Sequence, residues 1–475
     1  MTVAMSTAEM AFAQCAEGAA LSDAGNHAAA VGCYQRAVAL APSPLELHQI
    51  LANAQLLAGR TLDARATLRN ALLVASRPDV ASDFALGKAL VDAGAGADAV
   101  PCFRRVRHAV PRDATVAAAL AAALRDAQRP DEAWAEVQAA LQLSPSDPVA
   151  MLTAAMICHD LSDFAGALQW CDASLNVRHD AAGARVTRSY LRFLLGDESG
   201  GWSDFESRPL PLPGTSAKDW RGEPLSGRSI LVMGEQGVGD QFQFLRFVRH
   251  PALRAASRVV VSCQPEAVSL LRAAGYDAVA RDTTIGTDFC VPLLSLPQRL
   301  HVRADWRPEH TPYLALAQPG VRNRSRKARV GVVWAGNPAH RNDAARSIPF
   351  ALIGDLLARH PALEFVSMQH GVPSGDLPIA ISEYSKSADW LATARELYTL
   401  DVLISVDTGI AHLAGALGMP VWLLVPYVPD WRWGANGSQT PWYVTMRLFR
   451  QPCRGDWSRV LSNVGDALRV ELEKP

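Results

Sequence analysis

The sequence predicts an all-α repeat array followed by a two-lobed α/β half built on parallel sheets. Three observations carry this expectation. A 34- to 35-residue periodicity runs through residues 8–208, a Pro- and Gly-rich break follows at 209–228, and two sets of short β-branched runs interleave with helical stretches beyond it.

The periodicity is read from residue types. Gly25, Gly59, Gly94, Gln128, Ser162 and Gly196 recur at steps of 34 or 35. Five positions after each stands a small residue, Ala30, Ala64, Ala99, Ala133, Ala167 and Gly201. Nine positions after each stands a packing residue: Tyr34, Leu68, Phe103, Val137, Cys171 and Phe205. Pro42, Pro111 and Pro145 stand at plus seventeen, where they end a helix. Each unit reads as helix–turn–helix: the turn residue closes the first helix, and the small residue lets the second approach closely. One such unit cannot bury its apolar stripe alone, so neighbours stack into a solenoid with a concave surface. The pattern resembles tetratricopeptide (TPR) repeats. A TPR array implies a protein or peptide partner in its groove, with a spacer or dimerising role as the alternative.

Composition narrows the class. The 475 residues call for two or three compact units, and 49% hydrophobic content supplies their cores. A formal charge of −1 argues against a nucleic-acid or anionic-membrane binder. The basic run Arg322-Asn323-Arg324-Ser325-Arg326-Lys327 reads as a solvated linker between lobes. Eight scattered cysteines form no CxxC pair, which fits neither a zinc site nor a disulfide scaffold and suits a reducing cytoplasm. The N-terminal stretch lacks a basic and apolar signal pattern, and no apolar run approaches the ~20 residues that span a bilayer. The expected location is cytoplasmic.

In the second half, SILVMGE (229–235), RVVVSCQ (258–264) and DFCVPLLSL (288–296) form one set of strands. RVGVVWAG (329–336), LEFVSMQ (363–369), DVLISVD (401–407) and PVWLLVP (420–426) form another. Near-continuous apolar strands alternating with helices indicate parallel sheets covered on both faces. The lobes are expected at 229–318 and 329–475, with ligands beyond the carboxyl ends of the strands.

Four motifs occupy those ends. In GEQGVGDQFQF, Gly237 and Gly239 allow a tight turn and close approach of a ligand. Asp240 then serves either as a helix cap or as a general base for an acceptor hydroxyl. In VDTGIAHLAGALGMPV, a helix opens after Asp407, Thr408 and Gly409, and its free N–H groups make an anion site to which Thr408 and His412 add hydrogen bonds. The alternative makes Asp407 the cap and His412 a core histidine. In WAGNPAHRNDAARSIP, beginning at Trp334, the residues Asn337, His340, Asn342 and Arg346 gather in one loop. Arg346 is open to two readings, a fork onto phosphate oxygens or a pair with Asp343. In PYVPDWRWGANGSQTPWY, Trp431, Arg432, Trp433 and Trp442 are candidates to stack a base or sugar, and Gln369 at the end of its strand joins them as a candidate contact. The chain contains no Asp-x-Asp pair, which argues against a carboxylate-bound metal and leaves helix dipole and side chains to stabilise a leaving diphosphate.

Taken in order, GEQGVGDQFQFLRF, VWAGNPAHRND..RS, VDTGIAHLAGALGMPVW and PDWRW...PWY resemble the C-terminal domain of bacterial TPR-containing glycosyltransferases. That domain is similar to the heptosyltransferase-like (family 9) branch of the two-lobed GT-B fold, with two Rossmann-like parallel sheets. The resemblance implies inverting, metal-independent transfer from a nucleotide-sugar, with no further cofactor. It implies Asp240 as the base and Asp407, Thr408, Gly409 and His412 as the diphosphate turn. Asn337, Arg346 and Trp334 join these as donor-binding candidates, and the resemblance favours a protein acceptor such as flagellin. One departure stands out: the lysine usual in the first loop of the second lobe is absent from WAGNPAHRND, leaving His340 or Arg341 for its role.

Overall fold

The computed structural model describes residues 6–74, 79–210, 217–303, 305–306, 312–316, 327–338, 340, 342–369, 382–383 and 389–473. The basic run at 322–326 and Arg341 lie outside the described residues. The chain forms two compact units, Met1–Ala184 and Arg185–Pro475.

The first unit is a stack of helical hairpins: α1 (Thr7–Asp23) with α2 (His27–Leu40), α3 (Leu45–Leu57) with α4 (Thr61–Val74), α5 (Val80–Asp92) with α6 (Gly96–Ala109), α7 (Ala114–Asp126) with α8 (Pro130–Leu143), and α9 (Pro148–Asp160) with α10 (Phe164–Val177). A single backbone conformation explains the repeat. Gly25, Gly59, Gly94, Gln128 and Ser162 all have positive φ, between 59° and 77°, because the chain must turn left-handed to bring the second helix back on the first. Ala30, Ala64, Ala99, Ala133 and Ala167 are fully buried at the helix–helix contact, and Tyr34, Leu68, Phe103, Val137 and Cys171 are buried beside them. The hairpin α11 (Ala182–Leu194) and α12 (Glu198–Phe205) keeps the register, with Gly196 at φ 86°. All but its first residues fall in the second unit.

The second unit carries two parallel sheets. The first contains β1 (Lys218–Asp219), β2 (Ser229–Met233), β3 (Arg258–Cys263), β4 (Asp277–Ala280) and β5 (Phe289–Pro292) in the order β1-β5-β2-β3-β4. Its helices are α13 (Val238–Phe244), α14 (Pro251–Arg254), α15 (Val268–Ala273) and α16 (Leu296–Leu300). The second contains β6 (Arg329–Val333), β7 (Glu364–Ser367), β8 (Ser382–Glu383), β9 (Val402–Val406), β10 (Val421–Val425) and β11 (Met446–Arg450) in the order β11-β10-β9-β6-β7-β8. With it go α17 (Asp343–Arg346), α18 (Phe350–Ala358), α19 (Trp390–Leu397), α20 (Gly409–Ala416) and α21 (Trp457–Glu471).

Counted from its own first strand, the second sheet has the doubly wound order 3-2-1-4-5-6, and the first sheet has 3-2-1-4 with β1 added outside β5. The architecture is therefore α followed by two-lobed α/β. The sequence pattern missed the short β1, β4 and β8 and the longer β11, and it overextended β5, which gives way to a 3₁₀ turn and α16. Strands β9 and β10 are buried throughout, which is why they read as unbroken apolar runs. Among the described residues, no helix is long and apolar enough to cross a membrane.

Strand order also fixes where a site forms. In the first sheet the order reverses between β2 and β5, in the second between β6 and β9. Loops leaving the carboxyl ends of β2, β6 and β9 diverge there and open a crevice. Those loops are GEQG, WAGN and VDTG.

Candidate functional site

The crevice is a cavity of about 590 Å³, within the range of small-molecule sites. Its lining brings together Gly237, Gly239, Asp240, Asn337, Arg346, Gln369, Asp407, Thr408, Gly409, His412 and Arg432. His340 and Asn342 line it too.

The anion-site candidate is the start of α20. Thr408, in extended conformation, precedes the helix and gives it no side-chain cap. Its hydroxyl pairs instead with Ser405 Oγ at 3.1 Å. The opening amides of an α-helix have no partner within the helix, and here Thr408, Gly409 and Ile410 face the cavity. Asp407 is not the cap. Burial acts to raise its pKa, but His412, with Nε2 at 3.6 Å from Oδ1, and Arg432 outweigh burial and hold the carboxyl well below the usual range. His412 is buried, shares a hydrogen bond between Nδ1 and the Tyr443 hydroxyl at 2.9 Å, and stacks on Trp433 at 5.3 Å.

Asp240 faces this turn from the other lobe. It sits in the first turn of α13, where Oδ2 accepts from the Gly237 amide at 3.0 Å, so the capping role is present. Oδ1 is paired with Arg432 Nη2 across the lobes. Arg432 also donates from Nε to Gln243 Oε1 at 2.7 Å and from Nη1 to Asp430 Oδ1 at 2.9 Å. Burial would lower the pKa of this guanidinium, yet Asp430, Asp240 and Asp407 around it drive it upward. Each carboxylate oxygen of Asp240 has one such partner, and an ionised carboxylate has about four acceptor positions, so capacity toward the cavity remains.

Several expected roles move. The left-handed residue of the first loop is Gln236, at φ 55°, whereas Gly237 has an ordinary φ of −78°. Gly239 lines the cavity and also meets a second constraint: a Cβ there would lie 2.9 Å from His412 Cδ2 and 3.3 Å from Gly409 Cα, so α13 and α20 touch through their glycines. Arg346 adopts the structural pair, with Nε at 3.3 Å from Asp343 Oδ1, and donates from Nη1 to the Asp407 carbonyl at 2.9 Å. It still borders the cavity. Gln369 uses its amide to hold the neighbouring loop, accepting from the Trp334 and Ala335 amides and donating to the Ala335 carbonyl.

The expected tryptophans, Trp334, Trp431, Trp433 and Trp442, do not line the cavity, whereas Trp390 does. Trp334 packs on Phe350 at 4.8 Å in the core of its lobe. Trp431 sits among Tyr190, Phe193, Trp202, Phe205 and Trp442. Trp433 and Trp442 are buried. Aromatic composition marks burial as readily as stacking on a ligand, and here burial wins.

The sequence pattern missed other participants. Glu235 lies within the first motif and accepts two hydrogen bonds from buried Arg208, at 2.9 and 2.7 Å, plus one from the Leu294 amide. Asp430 and Tyr443 complete the surroundings of Arg432 and His412. Their signal was present in the quoted motifs, PDWRW and PWY, but only contacts between distant segments assign it. Among the described residues, no group of three or more His, Cys, Asp or Glu side chains is placed to hold a metal ion.

Comparison with known proteins recovers the repeats. Residues 15–81 and 84–148 match the tetratricopeptide repeat family model. These segments are tetratricopeptide repeats. Protein FlbA of Caulobacter vibrioides is 24% identical over 455 residues, an alignment covering 77% of this chain and 74% of that protein. Solved structures similar to part of the chain include YrrB, described as a TPR protein with an unusual peptide-binding site, at 19% identity and TM-score 0.28 over 36% of this chain and 88% of that one. Pseudomonas aeruginosa pilF matches at 19% identity and TM-score 0.30, covering 42% and 90%. A tetratricopeptide repeat protein of Parabacteroides merdae matches at 14% and 0.34, covering 42% and 82%.

Proposed function

We propose that the chain is an inverting glycosyltransferase that moves a sugar from a nucleotide-activated donor to a hydroxyl of a protein recruited by the repeat array. The observation that carries this reading is the uncapped start of α20 opening on a 590 Å³ interlobe cavity with Asp240 on the opposite lobe. Donor phosphates would take the amides of Gly409 and Ile410, with His412 and Thr408 beside them. The acceptor oxygen attacks the anomeric carbon while the bond from that carbon to the phosphate oxygen breaks. The hydroxyl proton goes to Asp240, and the departing diphosphate keeps the electron pair at the helix start.

One observation favours a second reading, a protein-binding scaffold without turnover. Both Asp240 oxygens are already engaged, one as a helix cap and one with Arg432. A thermal-shift panel of ADP-, GDP-, UDP-, dTDP- and CMP-sugars on wild type, His412→Ala and Asp240→Asn separates the two. Stabilisation by one donor, lost in His412→Ala and kept in Asp240→Asn, supports the transferase. No response to any nucleotide at millimolar concentration would leave the scaffold.

A further inference from the structure

The cavity has a charge problem. Its described lining carries three carboxylates, Asp240, Asp407 and Asp430, against two guanidiniums, Arg346 and Arg432, and both guanidiniums already pair with carboxylates. Carboxylates outnumber guanidiniums on this wall, yet the α20 start suits an anion. Positive charge has to come from behind the wall.

Arg246 lies there. It is fully buried, and among the described residues it makes no ion pair. Its Nε donates to the Gln243 carbonyl at 3.0 Å and its Nη2 to the Tyr313 hydroxyl at 3.3 Å, while Nη1 has no hydrogen-bond partner among the described residues. Three rings enclose the guanidinium, Tyr313 at 5.1 Å, Trp442 at 5.2 Å and Tyr443 at 5.0 Å. The Tyr443 ring reaches α20 because Gly415 has no side chain: a Cβ there would stand 2.5 Å from it. The Tyr443 hydroxyl in turn meets His412 Nδ1. One aromatic side chain therefore separates a buried cation from the histidine that borders the anion site.

A buried charge without a carboxylate is costly, and π faces compensate only part of its lost hydration. In a medium poorer than water at screening, its field also reaches farther. We propose that Arg246 is a positioning residue that supplies the buried counter-charge for a diphosphate group at the start of α20. No carboxylate among the described residues neutralises this cation, and the arriving anion does. The inference rests on the anion-site reading above and adds the residue that makes the site attractive to a diphosphate despite its acidic wall.

The test measures binding by calorimetry to wild type, Arg246→Met and Arg246→Lys, with inorganic pyrophosphate, the nucleoside diphosphate preferred by wild type and the matching uncharged nucleoside. Arg246→Met is expected to weaken both anions about tenfold, the scale of one charge acting through partly screened protein. Nucleoside affinity should stay within twofold, the ligand-free Tm should be unchanged or higher, and Arg246→Lys should recover most of the anion affinity. Anion binding within twofold of wild type in Arg246→Met would overturn the inference and leave the site reading standing. Equal losses for anion and nucleoside, or a lowered ligand-free Tm with no rescue by lysine, would show a packing role instead. If Arg246→Met does not fold, Arg246→Gln replaces it, with the same outcomes read. Wild type that binds neither anion removes the site reading and this inference together.

Discussion

The six turn residues of the repeats share a conformation but not a side chain. Gly25, Gly59, Gly94 and Gly196 take positive φ without a Cβ penalty, while Gln128 and Ser162 take it with one. A Cβ at Gly59 would meet nothing within 4 Å, so Gly59→Ala isolates the backbone term. We expect it to destabilise the array by about 1 kcal/mol, and Gln128→Gly to stabilise it by up to about 1 kcal/mol less the entropy glycine adds to the unfolded chain. Urea unfolding followed by far-ultraviolet circular dichroism reads both, and shifts of the same sign would refute the account. The repeat was legible in sequence because turn, small residue and packing residue are fixed by local spacing. The cavity residues Asp240, Asp407 and His412 were legible because each lies just beyond a strand. The pairing of Asp240 with Arg432 was not, since 192 positions separate them and no spacing rule spans that gap. Nor could composition say whether Trp334, Trp431 and Trp433 face a ligand or a core.

Two helices from opposite lobes begin at the same place. The contact of α13 with α20 runs through Gly239 and Gly409, and a Cβ at Gly409 would approach Val238 Cγ1 to 3.1 Å. Small residues here set the distance between the base candidate and the anion-site candidate. Gly239→Ala places a methyl group 2.9 Å from His412 Cδ2 and 3.3 Å from the Gly409 backbone, where a helix start rather than a flexible side-chain tip must yield. We expect a loss of about 1–3 kcal/mol in stability, as for overpacking in a core, and weakened donor binding because His412 is displaced. Gly237→Ala is the control: its φ is ordinary and the new Cβ would meet only Asp240 Oδ2, at 3.2 Å. Calorimetric titration with the preferred nucleotide-sugar compares them. If both alanines bind alike, the glycine contact does not set the site. The two glycines looked equivalent in sequence, because a loop motif names its glycines without showing which one another helix approaches.

At the scale of the molecule, the sequence register and the packing units end at different residues. The 34-residue pattern runs on through Gly196, Gly201 and Phe205, yet the second unit begins at Arg185. The reason is what α11 and α12 pack against. Phe193, Trp202 and Phe205 close around Trp431, whose ring lies under the Arg432 guanidinium at 4.4 Å. Just past α12, Arg208 is buried and binds Glu235 at the end of β2 and Ser295 Oγ at 2.9 Å. The final hairpin thus holds the first lobe by an ion pair and the second by an aromatic cluster, beside the residues that border the cavity. Removing one partner of a buried pair leaves an uncompensated charge, so Arg208→Met should destabilise the second unit by about 3–5 kcal/mol. The double variant Arg208→Met with Glu235→Leu should recover much of that loss, because apolar groups replace both charges. Hydrogen exchange provides the readout. In wild type the amides of α11 and α12 should exchange at rates set by the same opening as β2 and β9, and in Arg208→Met all four should speed up together. Exchange of α11 and α12 far faster than β2 and β9 in wild type would mean that the last hairpin does not share the stability of the lobes.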